Sequence, residues 1–189
     1  MKTLENLIMA YLGESQARNR YTFYASKAKK EGFEQIAEIF ETTAMNEMEH
    51  AETFFKLAQE LKGDKGMLNI ETMAPLTLGK TSENLKAAIE GEHEENSHLY
   101  PMFADVAEKE GYDIIAAKFR AIASVEKHHE ERYQKILKLV ESGSVFKRDK
   151  PVVWVCRKCG YVHTGKEAPP ACPSCGHEQR FFQRLCEEY

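Results

Sequence analysis

Apolar side chains in the first 141 residues recur in steps of three and four, the spacing that places them on one face of an α-helix. This pattern predicts four long helices, at about residues 3–30, 34–61, 81–109 and 113–141. The segment between the second and third helices contains Gly66, Pro75 and Gly79 and is too long for a tight turn. We therefore expect a four-helix bundle with one long crossover.

The predicted bundle consists of two similar halves. The segment Thr3–Leu7 matches Thr81–Leu85 at an offset of 78 residues (81 − 3), whereas residues 47–50 match residues 126–129 at an offset of 79 (126 − 47). One extra residue therefore lies within the third helix, and such an insertion is usually absorbed as a π-bulge. We predict a π-bulge in the segment from Glu92 to Pro101.

Acidic side chains and histidines interrupt the apolar face of every predicted helix. These residues are Glu14 in the first helix, Glu47 and His50 in the second, Glu92 and Glu95 in the third, and Glu126 and His129 in the fourth. An unpaired carboxylate is strongly disfavoured in an apolar interior, so we expect a cation among them. One Glu from each of two helices, with Glu-x-x-His from each of the other two, is typical of di-iron carboxylate sites.

Two tyrosines, three further histidines and the charge balance refine this prediction. Tyr21 and Tyr100 occupy equivalent positions in the two halves, and we expect their hydroxyls to hydrogen-bond the metal-ligating carboxylates. His93, His98 and His128 fall off the apolar face and are predicted to lie on the surface. Five carboxylates carry −5 against the +4 of two ferrous ions, so one ligand is expected to detach or take up a proton. Glu95 is the candidate, because its counterpart in the first half is an alanine.

The composition indicates a soluble protein. With 26 basic and 30 acidic residues the net charge is −4, and the absence of long runs of one sign argues against a nucleic-acid surface. The sequence contains no apolar stretch long enough to span a membrane and no export signal that we can identify. All five cysteines lie in the last quarter of the chain, a usage that fits a reducing cytoplasm rather than a disulfide framework.

Two Cys-x-x-Cys pairs predict a second metal site. They are formed by Cys156, Cys159, Cys172 and Cys175. We expect a bundle over residues 1–143, a linker over 144–151 and a small module over 152–189, which is too short to hold a useful core without a metal. The spacing leaves zinc and iron open: zinc would make the module structural, and iron would make it an electron carrier. Cys186 is predicted to be a free thiol.

Five fragments in this order resemble the rubrerythrin family over nearly the whole chain. They are GESQARNRY, EMEH, GEHEENSHLYP, EKHH and CRKCGY…CPSCG. The resemblance implies a ferritin-like di-iron domain followed by a rubredoxin-like domain with one iron on four cysteines. It also implies a non-haem peroxidase that reduces hydrogen peroxide to water, with electrons from an NADH-dependent reductase through a rubredoxin-type carrier, and a homodimer or higher homo-oligomer with head-to-tail dimers.

The resemblance also assigns a role to each candidate ligand. Glu47 and Glu126 would bridge the two irons, and Glu14 and Glu92 would be terminal ligands. His129 would bind the iron that Glu92 binds. The other iron would exchange between Glu95 when oxidised and His50 when reduced.

Two alternative functions stay open at this point. The same di-iron site could serve a ferroxidase or iron-storage protein, although a four-cysteine iron domain fits re-reduction better than storage. Alternatively, the cysteine module could be a zinc-ribbon adaptor on a metal-binding bundle. The physiological electron donor, the oligomeric state, the metal in each site and the role of Cys186 do not follow from the sequence.

Overall fold

Two helical hairpins make up the larger part of the structure, a computed structural model that describes residues 1–187. The first hairpin pairs α1 with α2, and the second pairs the segment formed by α3 and α4 with α5. The helices are α1 (Lys2–Lys30), α2 (Glu34–Leu61), α3 (Thr81–Glu94), α4 (Tyr100–Lys109) and α5 (Asp113–Glu141). These bounds confirm the predicted helices, and the crossover occupies the residues between α2 and α3.

Each hairpin turns at a glycine in the left-handed backbone region. Gly32 has a φ of 81° and Gly111 a φ of 85°, values that residues with a β-carbon rarely adopt. The residue after each glycine closes the turn in the same way, because the Phe33 amide bonds the Ala28 carbonyl at 2.9 Å and the Tyr112 amide bonds the Ala107 carbonyl at 2.8 Å. The duplication visible in the sequence therefore extends to the geometry of the turns.

The bundle core consists of two apolar clusters with a polar layer between them. Phe54, Tyr100 and Phe119 belong to one cluster, in which the Phe54 and Phe119 rings stack with centroids 4.9 Å apart. Tyr21 and Phe40 belong to the other. The candidate ligands occupy helical positions between those of the two clusters, so packed aromatic side chains separate them from the ends of the bundle.

The third long helix is interrupted by a π-helix at Glu95–Leu99, which confirms the predicted π-bulge. The extra residue shifts the helical register by one position between Glu92 and Tyr100. Both of these residues are nevertheless buried, at 1% exposure each. The π-helix therefore keeps both ends of the segment facing the core while it adds Glu95 to the same side of the bundle.

A small antiparallel sheet follows the bundle. Its strands are β1 (Lys147–Cys156), β2 (Val162–Glu167) and β3 (Phe182–Arg184), in the order β2-β1-β3. Trp154 and Phe182 form its core with two of the cysteines. β1 begins inside the segment 144–151 that the sequence predicts as a linker, because Lys147 already pairs with Glu167 of β2.

The module packs on the turn between α1 and α2. The Phe33 ring stacks on the Phe146 ring, with centroids 6.4 Å apart. The Arg157 guanidinium, next to the first cysteine, lies 2.8 Å from a Glu38 carboxylate oxygen in α2. Within residues 1–187, no helix is both long enough and apolar enough to cross a membrane.

The apolar cluster that contains Phe40 provides a test of the packing. Phe40 is fully buried, whereas Phe23 is 55% exposed on α1. We expect Phe40→Ala to lower the free energy of unfolding by about 3–5 kcal/mol, because it leaves a cavity among Tyr21, Tyr24 and Tyr133. Phe23→Ala should change it by less than about 0.5 kcal/mol. Urea unfolding of the two variants measures this difference, and equal effects would contradict the packing described.

Candidate metal centre

Two overlapping sets of side chains meet in the polar layer of the bundle. One set consists of Glu14, Glu47, His50 and Glu126, and the other of Glu47, Glu92, Glu126 and His129. Within each set, one ligand atom from every residue lies within 4.8 Å of the others. Glu47 and Glu126 belong to both sets, so their carboxylates lie between two positions that could each hold a metal ion.

Each histidine points its Nδ1 atom at the shared carboxylates. His50 Nδ1 lies 2.9 Å from Glu47 Oε2 and 2.9 Å from Glu126 Oε1. His129 Nδ1 lies 2.8 Å from Glu126 Oε2 and 3.5 Å from Glu92 Oε2. The Glu-x-x-His spacing places the two side chains of each pair on one face of a helix, and the duplication presents the two pairs to each other across the bundle.

The centre has the properties of a metal site. Glu14, Glu47, Glu92, Glu126 and His129 are at most 2% exposed. Within residues 1–187, both oxygens of Glu47 and Glu126 and the Nδ1 atoms of both histidines have no hydrogen-bond partner of acceptable geometry. Buried polar atoms are rarely left unpaired, so these atoms need a cation to satisfy them. Carboxylate oxygens and imidazole nitrogens suit iron and manganese, and the residues therefore fit a di-iron group.

The ionisation of these residues also responds to burial. Loss of solvent raises the pKa of the Glu92 carboxyl, and it raises that of Glu14 to about 8. Burial alone would lower the pKa of His129, but the neighbouring carboxylates, first that of Glu126, outweigh it and raise the pKa to about 11. Without a cation the centre therefore holds protons, which a divalent metal would displace on binding.

Two buried tyrosines donate hydrogen bonds to the candidate ligands. The Tyr21 hydroxyl donates to Glu92 Oε1 at 2.6 Å, and the Tyr100 hydroxyl donates to Glu14 Oε1. Each tyrosine belongs to one half of the duplication and bonds a carboxylate of the other half. These bonds fix the orientation of the two outer carboxylates, as expected from the equivalent positions of the tyrosines in the sequence.

Glu95 lies beside the centre and outside both ligand sets. It is the first residue of the π-helix, and its Oε1 atom lies over Gly13, 3.7 Å from the position that a β-carbon would take there. Burial, followed by the Glu14 carboxylate, raises the pKa of Glu95 well above its usual range. In this structure His50 therefore belongs to a ligand set of the centre, whereas Glu95 belongs to neither set.

A hydrogen-bond network on the outer side of the π-helix was not predicted from the sequence. Asn96 Nδ2 donates to the Glu92 carbonyl at 2.6 Å and to Glu130 Oε2 at 2.8 Å. Gln134 Nε2 donates to the other Glu130 oxygen at 2.8 Å. The network ties the π-helix to α5. The only signal for it in the sequence is the position of Asn96 inside the inserted segment.

The remaining bundle histidines lie on the surface, as predicted. His93, His98 and His128 are all exposed. His93 Nδ1 lies 3.2 Å from Glu130 Oε1, and His98 Nδ1 lies 3.3 Å from Glu94 Oε2. The Glu130 side chain is partly buried, and that of Glu94 is exposed. The neighbours His128 and His129 therefore differ completely in environment, because only His129 is on the inner face of α5.

The four paired cysteines converge in the small module. Their sulfur atoms lie within 4.8 Å of one another, with Cys156 Sγ 3.7 Å from Cys175 Sγ and Cys159 Sγ 3.6 Å from Cys172 Sγ. Cys156 and Cys172 are buried, whereas Cys159 and Cys175 are exposed. All four are free thiols, and this geometry forms a rubredoxin-like four-cysteine site.

Glycines shape both cysteine turns. Gly160 and Gly176 have φ values of 77° and 73°, and their amides bond the Cys156 and Cys172 carbonyls at 2.9 Å. The backbone N–H of Tyr161 is the main cause of a lowered pKa of the Cys159 thiol, which falls to about 6. Thiolates are the metal-binding form of cysteine, so the lowered pKa favours the metal-binding form of Cys159. Cys186 is a free, exposed thiol outside the group.

Known proteins resemble the chain over both parts. Residues 5–137 match the family model described as Rubrerythrin, and residues 154–183 match the model described as Rubrerythrin, rubredoxin-like domain. A protein of Methanocaldococcus jannaschii assigned to the rubrerythrins is 58% identical, with 100% of this chain and 95% of that protein covered. Rubrerythrin-1 of Clostridium acetobutylicum is 52% identical, with 100% of this chain and 96% of that protein covered.

A solved structure is similar as well. The fully reduced, all-ferrous state of nigerythrin superposes with a TM-score of 0.65 at 32% identity, covering 97% of this chain and 86% of that chain. That protein contains ferrous iron. Its likeness in both sequence and fold supports the ferritin-like architecture and the two iron sites of the present chain.

The two adjacent histidines of α5 provide a matched test of the centre. We expect His129→Ala to weaken iron binding in the bundle by at least about tenfold, because a buried candidate ligand is lost. His128→Ala should leave the iron content unchanged, since its ring is exposed. Iron per chain, measured after dialysis against a chelator, checks both outcomes. Loss of iron in the His128 variant would show that the helical register is wrong.

Proposed function

The chain belongs to the rubrerythrin family, and from this premise we propose that it is a non-haem peroxidase that reduces hydrogen peroxide to water in the cytoplasm. One observation carries the proposal: a buried carboxylate and histidine centre and a four-cysteine site occur in one chain. The second site implies electron transfer, and the first is the part of the molecule where a reaction with peroxide can be shielded from bulk water.

We propose the following roles for the residues of the centre. Glu47 and Glu126 would each help to hold both iron ions, since each belongs to both ligand sets. Glu14 binds one iron, and Glu92 with His129 binds the other. His50 and Glu95 would be alternative ligands of the iron that Glu14 holds, His50 in the reduced state and Glu95 in the oxidised state. Support for this exchange comes from the position of Glu95, on a π-helix beside the centre.

The proposed reaction consumes two electrons and two protons for each hydrogen peroxide and produces two water molecules. A reduced iron pair in the centre would supply the two electrons. Tyr21 and Tyr100 keep the outer carboxylates in place through their hydrogen bonds. Glu95, which lies beside the centre and belongs to neither ligand set, would give a proton to the oxygen that leaves as water.

Electron delivery between subunits is part of the proposal. In this chain the module contacts α2 at Glu38, and Glu47 lies nine residues further along the helix, which corresponds to about 14 Å along its axis. In a head-to-tail homodimer, the four-cysteine site of one subunit would lie near the carboxylate centre of its partner. Electrons would reach the four-cysteine site from a rubredoxin-type carrier or an NADH-dependent reductase.

The crossover offers a surface for such an assembly. Four of its apolar side chains are strongly exposed, at 93% for Met67, 89% for Met73, 92% for Leu76 and 63% for Leu78. A group of exposed apolar side chains on one segment is unfavourable in water unless another surface covers it. We propose that a second copy of the chain covers this segment. Iron storage is less well supported, because it requires no four-cysteine electron carrier.

Removing one thiolate tests the proposed relay. We expect Cys159→Ala to abolish steady reduction of hydrogen peroxide with an external donor, because the four-cysteine iron can no longer be held and re-reduced. A single turnover of pre-reduced protein should continue at a rate within about twofold of the original protein, because the bundle is untouched. Stopped-flow and steady-state assays separate the two rates. Cys186→Ala is the control and should change neither, and undiminished steady turnover of the Cys159 variant would refute the relay.

A further inference from the structure

A cavity of about 520 Å³ lies beside the candidate metal centre. Glu95 and Tyr100 line it on the side of the centre. The crossover residues that border it are Glu71, Thr72, Met73 and Pro75. Most of the remaining wall is apolar and includes Met9, Leu99 and Phe103. The cavity therefore connects an apolar chamber to the carboxyl that we propose as an exchangeable ligand.

The volume of this cavity exceeds what hydrogen peroxide requires. A water molecule occupies about 30 Å³ in the liquid, and hydrogen peroxide has only one more oxygen atom. Pockets that bind small organic molecules measure about 300–1,000 Å³ and are mainly apolar. The cavity falls within that range at about 520 Å³, so both its size and its lining suit an organic group better than peroxide alone.

Two glycines keep the cavity open. Gly13 in α1 and Gly91 in α3 line it, and each directly precedes a candidate ligand, Glu14 or Glu92. Glycine destabilises a helix interior relative to alanine, so a glycine there usually has a packing or functional reason. A β-carbon on Gly91 would have no neighbour within 4 Å, which rules out close packing among the described residues as the reason. Because Gly91 has no side chain, this part of the cavity stays empty.

We propose that this cavity binds the organic group of alkyl hydroperoxides, so that the protein reduces these compounds as well as hydrogen peroxide. The apolar wall formed by Met9, Leu99 and Phe103 takes up the hydrocarbon, and the hydroperoxide group points toward Glu95 and the centre. The inference rests on the proposed peroxidase function and extends its substrate class.

The reaction balances with the same reductant. Two electrons and two protons convert one alkyl hydroperoxide into the corresponding alcohol and one water molecule, with cleavage of the O–O bond. The electrons come from the donor that reduces the four-cysteine site in the proposed function. The alcohol keeps the hydrocarbon group and has no O–O bond, which makes it an unreactive probe of the cavity.

Binding of such an alcohol tests the cavity without turnover. We expect the iron-loaded protein to bind 2-phenyl-2-propanol saturably, at one molecule per chain, in calorimetry or ligand-observed NMR. Gly91→Leu should weaken this binding at least tenfold, because its side chain occupies the cavity, and Gly91→Ala should have a smaller effect. Ala117→Leu, which adds the same side chain to an exposed position of α5, should bind as the original protein does. Absence of saturable binding, or equal binding by Gly91→Leu, would overturn the proposal.

Steady-state assays with two substrates then test turnover. We expect reduction of cumene hydroperoxide by the unmodified protein, and at least a tenfold fall in its kcat/KM relative to that of hydrogen peroxide in Gly91→Leu. Reduction of hydrogen peroxide alone would overturn the inference and leave the proposed function standing. Reduction of neither substrate would contradict the proposed function itself, and the inference with it. An unchanged thermal unfolding midpoint of Gly91→Leu would show that the variant is folded.

Discussion

The bundle buries carboxylates that must be neutralised by a bound cation or by protons, and much of the remaining structure follows from this constraint. Glu14, Glu47, Glu92 and Glu126 are at most 1% exposed, and aromatic clusters above and below separate them from water. In that environment a carboxylate without a counter-ion takes up a proton, as the raised pKa of Glu14 indicates. Metal binding and stability are therefore coupled, because the same atoms that bind metal are unsatisfied without it.

Duplication explains how so many polar ligands come together at a single layer. Each hairpin supplies one outer glutamate, one shared glutamate and one histidine, and the tyrosine of each half bonds the outer glutamate of the other half. The one-residue insertion breaks this symmetry. It produces the π-helix and adds Glu95 to one half only, so the two metal positions differ in the ligands available to them. A site with one adaptable position can change its coordination while the other position stays fixed.

The features that could be predicted from the sequence are those that depend on local spacing. Helical periodicity fixes which residues face inward, and the offset change from 78 to 79 locates the π-helix. The bond from Asn96 to Glu130 could not be predicted, because it depends on how two helices distant in sequence are rotated against each other. The start of β1 could not be predicted either, because the pairing of Lys147 with Glu167 is a long-range contact. The position of Glu95 outside both ligand sets depends on its side-chain rotamer, which no sequence pattern encodes.

The cavity beside the buried carboxylate centre and the four-cysteine site lie on different parts of the surface. The cavity beside Glu95 opens between α1, the π-helix and the crossover, and none of its lining residues in the described part of the chain is a cysteine. The four-cysteine site instead packs at the turn between α1 and α2, with Cys159 and Cys175 exposed. Peroxides oxidise accessible thiolates. In the proposed reaction, a peroxide that enters through the cavity would reach the carboxylate centre without passing the sulfur ligands of the same chain, so that the electron carrier could remain accessible to its donor.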